Sequence, residues 1–497
     1  MGHNCLFPTL RRFPFLRSPL TSPPPMPHCK QKIAILLIIS LLANILPSPL
    51  GLKSAAAFSV GEEKEVGEKL LSMVRKSFEV LDDPDISQYV NDLGQQILTV
   101  AGPQYFDYHF FVIKDNEFNA FAAPSGLIFI HSGLIETMES EGELISVMAH
   151  ECAHVTSRHI SDRLAKQAKT TIGTAALLIA GIAMGGGALG QALITGSMAA
   201  NATMNLKFSR EDEEEADRLS FKWMQALRID PADMESMLRR MHRISVYRMA
   251  KIPPYLLTHP EPQQRMGYVQ DLIMANQEEK HYQARDSFAF LRMKHRVLSL
   301  TREPATLKPQ FLKKASLGTG QQATMAQYGL ALAALAGADY AKAETLMKGV
   351  IQAYPNRPIL QTDLATIAMQ AGHQQESLAL LKAAHGAAPN DAYTTYTLAT
   401  NLVQMGEQQQ ALQLFHELLP VIPDHAMLYH TIGNLESKQG KKGVGHYYLG
   451  HYFWMEGDTK NATYHLDEAI GSPGMDQVTL TKAKQLLAEI ERVDKEM

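Results

Sequence analysis

The pattern of apolar and polar positions changes character several times along the 497 residues. Near the N-terminus, Lys32 precedes the apolar run Ile33–Ala43, shorter than the roughly 20 residues a helix needs to cross a bilayer. Ala55-Ala56-Ala57 then offers the small residues a signal peptidase accepts, so residues 1–57 predict a signal peptide cleaved before Phe58, with an uncleaved anchor as the competing reading. Met26 is a candidate true start, because Lys30 and Lys32 then form a basic leader of ordinary length. No cysteine lies just after the apolar core, which argues against a lipid anchor.

Further on, the run Leu144–Ala149 leads into His150-Glu151-Cys152-Ala153-His154. Positions four apart share a helix face, so both imidazoles can address one ion, and Glu151 lies to one side, able to reach a metal-bound water. Cys152, at i+2, points off that face into packing. The segment from Ser209 to Arg218 is an acidic run, by default a solvated helix face. A His-His site also needs a third ligand, commonly a carboxylate. Glu213 with Asp217, or Glu214 with Asp217, would serve, and spacing alone does not choose. Gly126 to Ile130 has the β-branched, apolar composition of a strand.

Residues 170–206 carry no charge at all, and Gly185-Gly186-Gly187 splits them into two apolar halves, each too short for a span. Two readings stand: a pair of buried helices, or a mobile apolar flap beside the site that touches a membrane or an unfolded chain.

Beyond residue 321 a repeat takes over. Pro355, Pro389 and Pro423 recur every 34 residues, as do Ala331, Ala365 and Ala399, and Gly372, Gly406 and Gly440; Ala343, Ser377 and Ala411 hold a fourth offset. That period, with small residues at helix contacts, is the tetratricopeptide signature. The expected order is a metallopeptidase domain over 58–284, a partly helical connector over 285–321 and repeats over 322–492, the period breaking after Gly440. The formal charge of −4 with no basic stripe argues against nucleic acid. Cys5 and Cys29 fall in the leader, so Cys152 has no partner for an internal bridge.

Taken together, the two metal segments, Asn119–Pro124 with Gly126–Ile130 and Gly133-Leu134, and Leu257-Thr258-His259-Pro260 with Arg265, resemble the HtpX-like zinc metallopeptidases over roughly residues 60–275. The resemblance implies one zinc per chain on His150, His154 and Glu213, Glu151 as general base and Asp217 as an acidic partner, a gluzincin arrangement. It also implies a cleft-edge strand at Gly126, Leu127, Ile128 and Phe129 that takes substrate. His259 is implied as a regulatory fourth ligand, and Arg265 as a support for transition-state charge or a loop carboxylate. Joined to repeats, such a domain is similar to the BepA-like proteases of the Gram-negative periplasm. The implied fold is an α-rich α+β zincin-type domain with a small sheet, followed by an all-α tetratricopeptide solenoid. The implied function is zinc-dependent degradation of unfolded or misassembled envelope proteins, outer-membrane β-barrel proteins above all, in assembly quality control. The implied partners are those substrates and the β-barrel assembly machinery, and the place is the periplasm, peripheral to the outer membrane. Some relatives link their repeats by a disulfide, which this chain cannot form. A non-proteolytic repeat chaperone or scaffold is the alternative.

Overall fold

The computed structural model describes residues 58–166, 172–183, 207–247, 253–276, 282 and 286–495. The expected signal peptide and most of the uncharged stretch 170–206 lie outside them. Ser59 begins the first helix, α1 (Val60–Ser77), through a capping box with Glu62, each satisfying the other's end of the helix. Asp83 starts α2 (Pro84–Ala101) by accepting from the Asp85 and Ile86 amides. Then come β1 (His109–Ile113), β2 (Ala120–Ala123), a single 3-10 turn over Pro124–Gly126, and β3 (Leu127–His131). The sheet order is β1-β3-β2, with β3 parallel to β1 and antiparallel to β2. Gly94 lets α2 lie against this sheet, because a Cβ there would come within 2.1 Å of the Phe110 ring.

The short α3 (Ser132–Thr137) leads to α4 (Glu141–Thr156), where every residue from Glu141 to Val155 is buried. A helix apolar on nearly all sides must be central, and α4 contacts α2, the sheet and the helix carrying the acidic run. After α5 (His159–Lys166), α6 (Ile172–Ala183) is the described part of the uncharged stretch. Its Ala175, Ala176, Ile179 and Ala180 are buried, and it packs on α1 and touches β2. Among the described residues no helix is long and apolar enough to cross a membrane. The acidic run forms α7 (Arg210–Ala226), started by a Ser209–Asp212 capping box. Helices α8 (Ala232–Tyr247), α9 (Pro254–Thr258) and α10 (Pro262–Ala275) follow.

The expected connector is helical: α11 (Phe288–Thr301) and α12 (Pro304–Leu317). Helix pairs follow: α13 (Gly320–Ala336) with α14 (Tyr340–Ala353), α15 (Ile359–Gln370) with α16 (Gln374–Ala387), and α17 (Ala392–Gln404) with α18 (Gln408–Leu418). Then come α19 (Ala426–Lys438) with α20 (Lys442–Met455) and α21 (Thr459–Gly471) with α22 (Gln477–Lys495). Gly372, Gly406 and Gly440 sit in the turns within pairs at φ near +87°, a conformation that costs glycine least. The period also runs further than expected. Gly474, one period past Gly440, has φ +80°, and Gly457 stands where the repeat places proline. Gly433 and Gly445 continue the two small-residue offsets, and a Cβ on Gly445 would lie 2.8 Å from the Gly433 carbonyl oxygen.

The start of α2 and the residues just before it contact the repeats. Asp82 accepts from the Ala426 and Met427 amides at 3.1 and 2.8 Å, and Gln88 bonds the Asn390 carbonyl and Ala392 amide. Buried Arg292 of α11 joins Asp85 of α2 (2.6 Å) to Asp363 of α15 (3.0 Å), while Arg296 holds Asp83 and lies over the Tyr393 ring.

Candidate metal centre

Helix α4 presents His150 and His154 on one face, α7 brings Glu213, and the end of α9 brings His259. One ligand atom from each lies within 4.8 Å of the other three, and all four residues are buried. His150 Nε2 is 3.1 Å from His154 Nε2 and 3.2 Å from His259 Nδ1, and His259 Nδ1 is 2.9 Å from Glu213 Oε1. His154 Nε2 lies 3.5 Å from Glu213 Oε1. Ligand atoms bonded to one tetrahedral zinc at ~2.0–2.1 Å stand ~3.3 Å apart, so these separations fit. The donor set, imidazoles with one carboxylate, also suits zinc. Glu151 is buried beside the cluster with Oε1 unpartnered and 3.5 Å from His259 Nε2, a costly position unless something there is to be bound.

Spacing left Glu213 and Glu214 open, and the fold separates them. Glu213 faces the cluster, while Glu214 is half exposed and pairs with Arg218 on its own helix. Asp217 accepts from His150 Nδ1 at 2.8 Å, from Arg265 at 2.7 and 2.8 Å, and from the Tyr268 hydroxyl. Burial alone would raise its carboxyl, but Arg265 and then His150 hold it well below the usual range. Glu213 is likewise raised by burial and pulled well down by Arg265 and His259. Burial also holds the His154 imidazole well below its ordinary value, keeping it neutral, the form that binds a metal. Arg265 lies 2.7 Å from Glu213 Oε2 as well, so it bridges the two α7 carboxylates. Cys152 is buried in the core, its thiol pushed up by burial.

One expectation is overturned. Gly126, Leu127, Ile128 and Phe129 were to be the cleft-edge strand that takes substrate. Leu127–His131 is instead the central strand, its two edges hydrogen-bonded to β1 and β2. Its backbone groups are spent inside the sheet, and apolar composition marks a buried strand without saying which neighbours it has. The edge strand nearest the cluster is β2, whose Phe121 and Ala122 line an apolar recess with Ile160, Ile179, Phe208 and His259.

Several site residues carry no motif. Phe208 stacks on His154 with ring centres 3.9 Å apart, and Arg163 lies over Phe208. Tyr255 stacks on His259 at 4.4 Å; its spacing of four from His259 was the one signal available.

All these cluster residues lie within 84–273, and that span matches the sequence profile of peptidase family M48. Over that span the chain resembles peptidase family M48. The chain resembles the beta-barrel assembly-enhancing protease of Escherichia coli (strain K12), 30% identical over 318 residues, 63% of this chain and 64% of that protein. The putative beta-barrel assembly-enhancing protease of Vibrio cholerae is 34% identical over 220 residues, 44% of this chain and 45% of that protein. The mitochondrial metalloendopeptidase OMA1 of Schizosaccharomyces pombe is 28% identical over 185 residues, 37% of this chain and 52% of that protein. The chain therefore spans less than two thirds of the length of each of these three relatives.

Proposed function

We propose that the chain is a zinc-dependent endopeptidase of the cell envelope. In this reading it works in the periplasm, peripheral to the outer membrane, and degrades unfolded or misassembled proteins. The names of the bacterial relatives favour outer-membrane β-barrel proteins as substrates and the assembly machinery as the partner of the repeats. The observation that carries the reading is the convergence of His150, His154 and Glu213 with the buried Glu151 carboxylate beside them, its Oε1 without a hydrogen bond.

When bound, zinc supplies Lewis acidity and an acidified water. Glu151 takes a proton from the attacking water and hands it to the leaving amine. Asp217 holds His150 in the tautomer whose Nε2 is free. An extended substrate adds to the free edge of β2. Because Asn119 accepts from the His131 amide, strand alternation turns the backbone groups of Ala120 and Ala122 outward. Main-chain pairing there tolerates many sequences, as an enzyme acting on unfolded chains requires.

His259, 3.2 Å from His150 and 2.9 Å from Glu213, would supply a fourth ligand to a bound zinc, and in this reading it closes the position that a catalytic site keeps open. The same feature favours the second reading, a repeat scaffold whose proteolysis is silent. Both are separated by incubating the zinc-loaded chain with an unfolded β-barrel protein. Wild type cleaves it, Glu151→Gln keeps zinc and cleaves nothing, and His259→Ala cleaves faster than wild type at matched zinc. Equal turnover by wild type and Glu151→Gln rejects the mechanism, and the absence of cleavage in every variant favours the scaffold.

A further inference from the structure

An imidazole that binds a metal through one ring nitrogen needs a partner for the other, which sets its tautomer and the plane of its ring. Asp217 serves His150 in this way. His154 has a different neighbour: its Nδ1 lies 2.9 Å from Nδ1 of His159, which is itself buried. Of two facing ring nitrogens in a hydrogen bond, one donates and the other accepts. The far side of His159 decides which, because its Nε2 lies 3.5 Å from Glu215 Oε2, and a carboxylate only accepts. Nε2 of His159 therefore carries its proton, leaving Nδ1 bare to accept from His154 Nδ1–H, with the bare Nε2 of His154 facing the cluster.

We propose that His159, oriented by Glu215, is a positioning residue that fixes the tautomer and ring plane of His154. The inference rests on the metal-centre reading above. It gives the site a second relay, Glu215–His159–His154, beside Asp217–His150.

The local backbone is built to hold this contact. Helix α4 ends at Thr156, and Arg158 takes a left-handed conformation, φ +55°, that turns the chain so that His159 comes back against His154. Such a conformation is costly for a residue with a Cβ and persists when its surroundings hold it. Here the Arg158 guanidinium is held by Glu63 and by the Phe58 carbonyl. Ser157 donates to Glu215 Oε1 at 2.9 Å, steadying the carboxylate that His159 uses. Phe208 covers the other face of His154.

The test uses the full chain and zinc competed against a chromophoric chelator, with melting of the zinc-free protein as the folding control. Asparagine places its Oδ1 where the histidine has Nδ1, whereas glutamine reaches toward the Nε2 position. His159→Asn therefore keeps the acceptor and binds zinc close to wild type, while His159→Gln binds ~10–100-fold more weakly, the usual cost of losing such a partner. Equal affinities for these two variants, or tighter binding by His159→Gln, overturn the proposal. Glu215 is largely exposed, so Glu215→Ala keeps the test open if a His159 variant fails to fold. Its zinc affinity falls in the same direction, and an unchanged affinity overturns the relay. A wild type that binds no zinc removes the metal centre itself, whereas tight wild-type binding with indifferent His159 variants removes only this inference.

Discussion

Glu213 and Glu214 are adjacent on α7, yet one meets three imidazoles and Arg265 while the other pairs with Arg218 at the surface. The difference is one step of about 100° around the helix. An exposed i, i+4 pair contributes little, in the range of ~0–1 kcal/mol, so Glu214→Ala should retain one zinc per chain and melt near wild type. Glu213→Ala removes a ligand and leaves Arg265 short of one counter-charge, so its zinc content after gel filtration should collapse. Metal analysis of the two variants side by side decides the matter, and equal retention would reject Glu213 as the ligand. His159 and Phe208 belong to the same scale, and neither stands in a pattern that spacing could flag. What makes them part of the site is contact with His154.

Among the elements, the strand carrying Leu127 to His131 is where sequence reasoning went astray. Its β-branched, apolar character was legible. Its place in the middle of the sheet was not, because strand order depends on which segments pair. Ala120–Ala123, short and alanine-rich, holds the edge. Ala122→Pro deletes an amide that points away from β3, a position where an edge strand tolerates proline. The variant should keep its zinc and its melting temperature but show a raised KM for unfolded substrate; an unchanged KM would mean that substrate binds elsewhere. The repeat helices were easier to read, because a fixed offset of small residues is itself the packing rule. The period continues through Gly433 and Gly445, where glycine replaces the alanine or serine of earlier repeats, so the match to a residue type fails although the close helix contact is kept.

Over the whole molecule, the M48-like domain and the solenoid are tied by charged groups. His109 of β1 bonds Asp424, next to Arg75, and Asp82 meets His425. The hydrogen bond to Asp424 raises the His109 pKa above its ordinary 6.5, against burial, with Asp107 adding to the rise and Arg75 opposing it. A histidine raised on folding stabilises the native state fully below its unfolded pKa and loses that contribution as pH climbs through the folded value. Wild type should therefore exceed His109→Gln in urea resistance at a pH below the ordinary histidine value, and the gap should narrow as pH climbs through the raised folded pKa. A gap independent of pH would show that the pair does not titrate with folding. The pair is partly exposed, so solvent screens the effect and it should be modest.

Local rules reach as far as the ligand helix, the acidic run and the 34-residue period. Helix spacing and repeat contacts are properties of residues near one another in the chain, and they can be read there. The third ligand, the central place of β3, the closeness of His259 to Glu213 across 46 residues and the docking of Asp82–Asp85 into the repeats belong to another class. They depend on which distant segments share a core. His150, His154, Glu213 and His259 become one centre because burial of α4 forces α7 and the end of α9 against the same face.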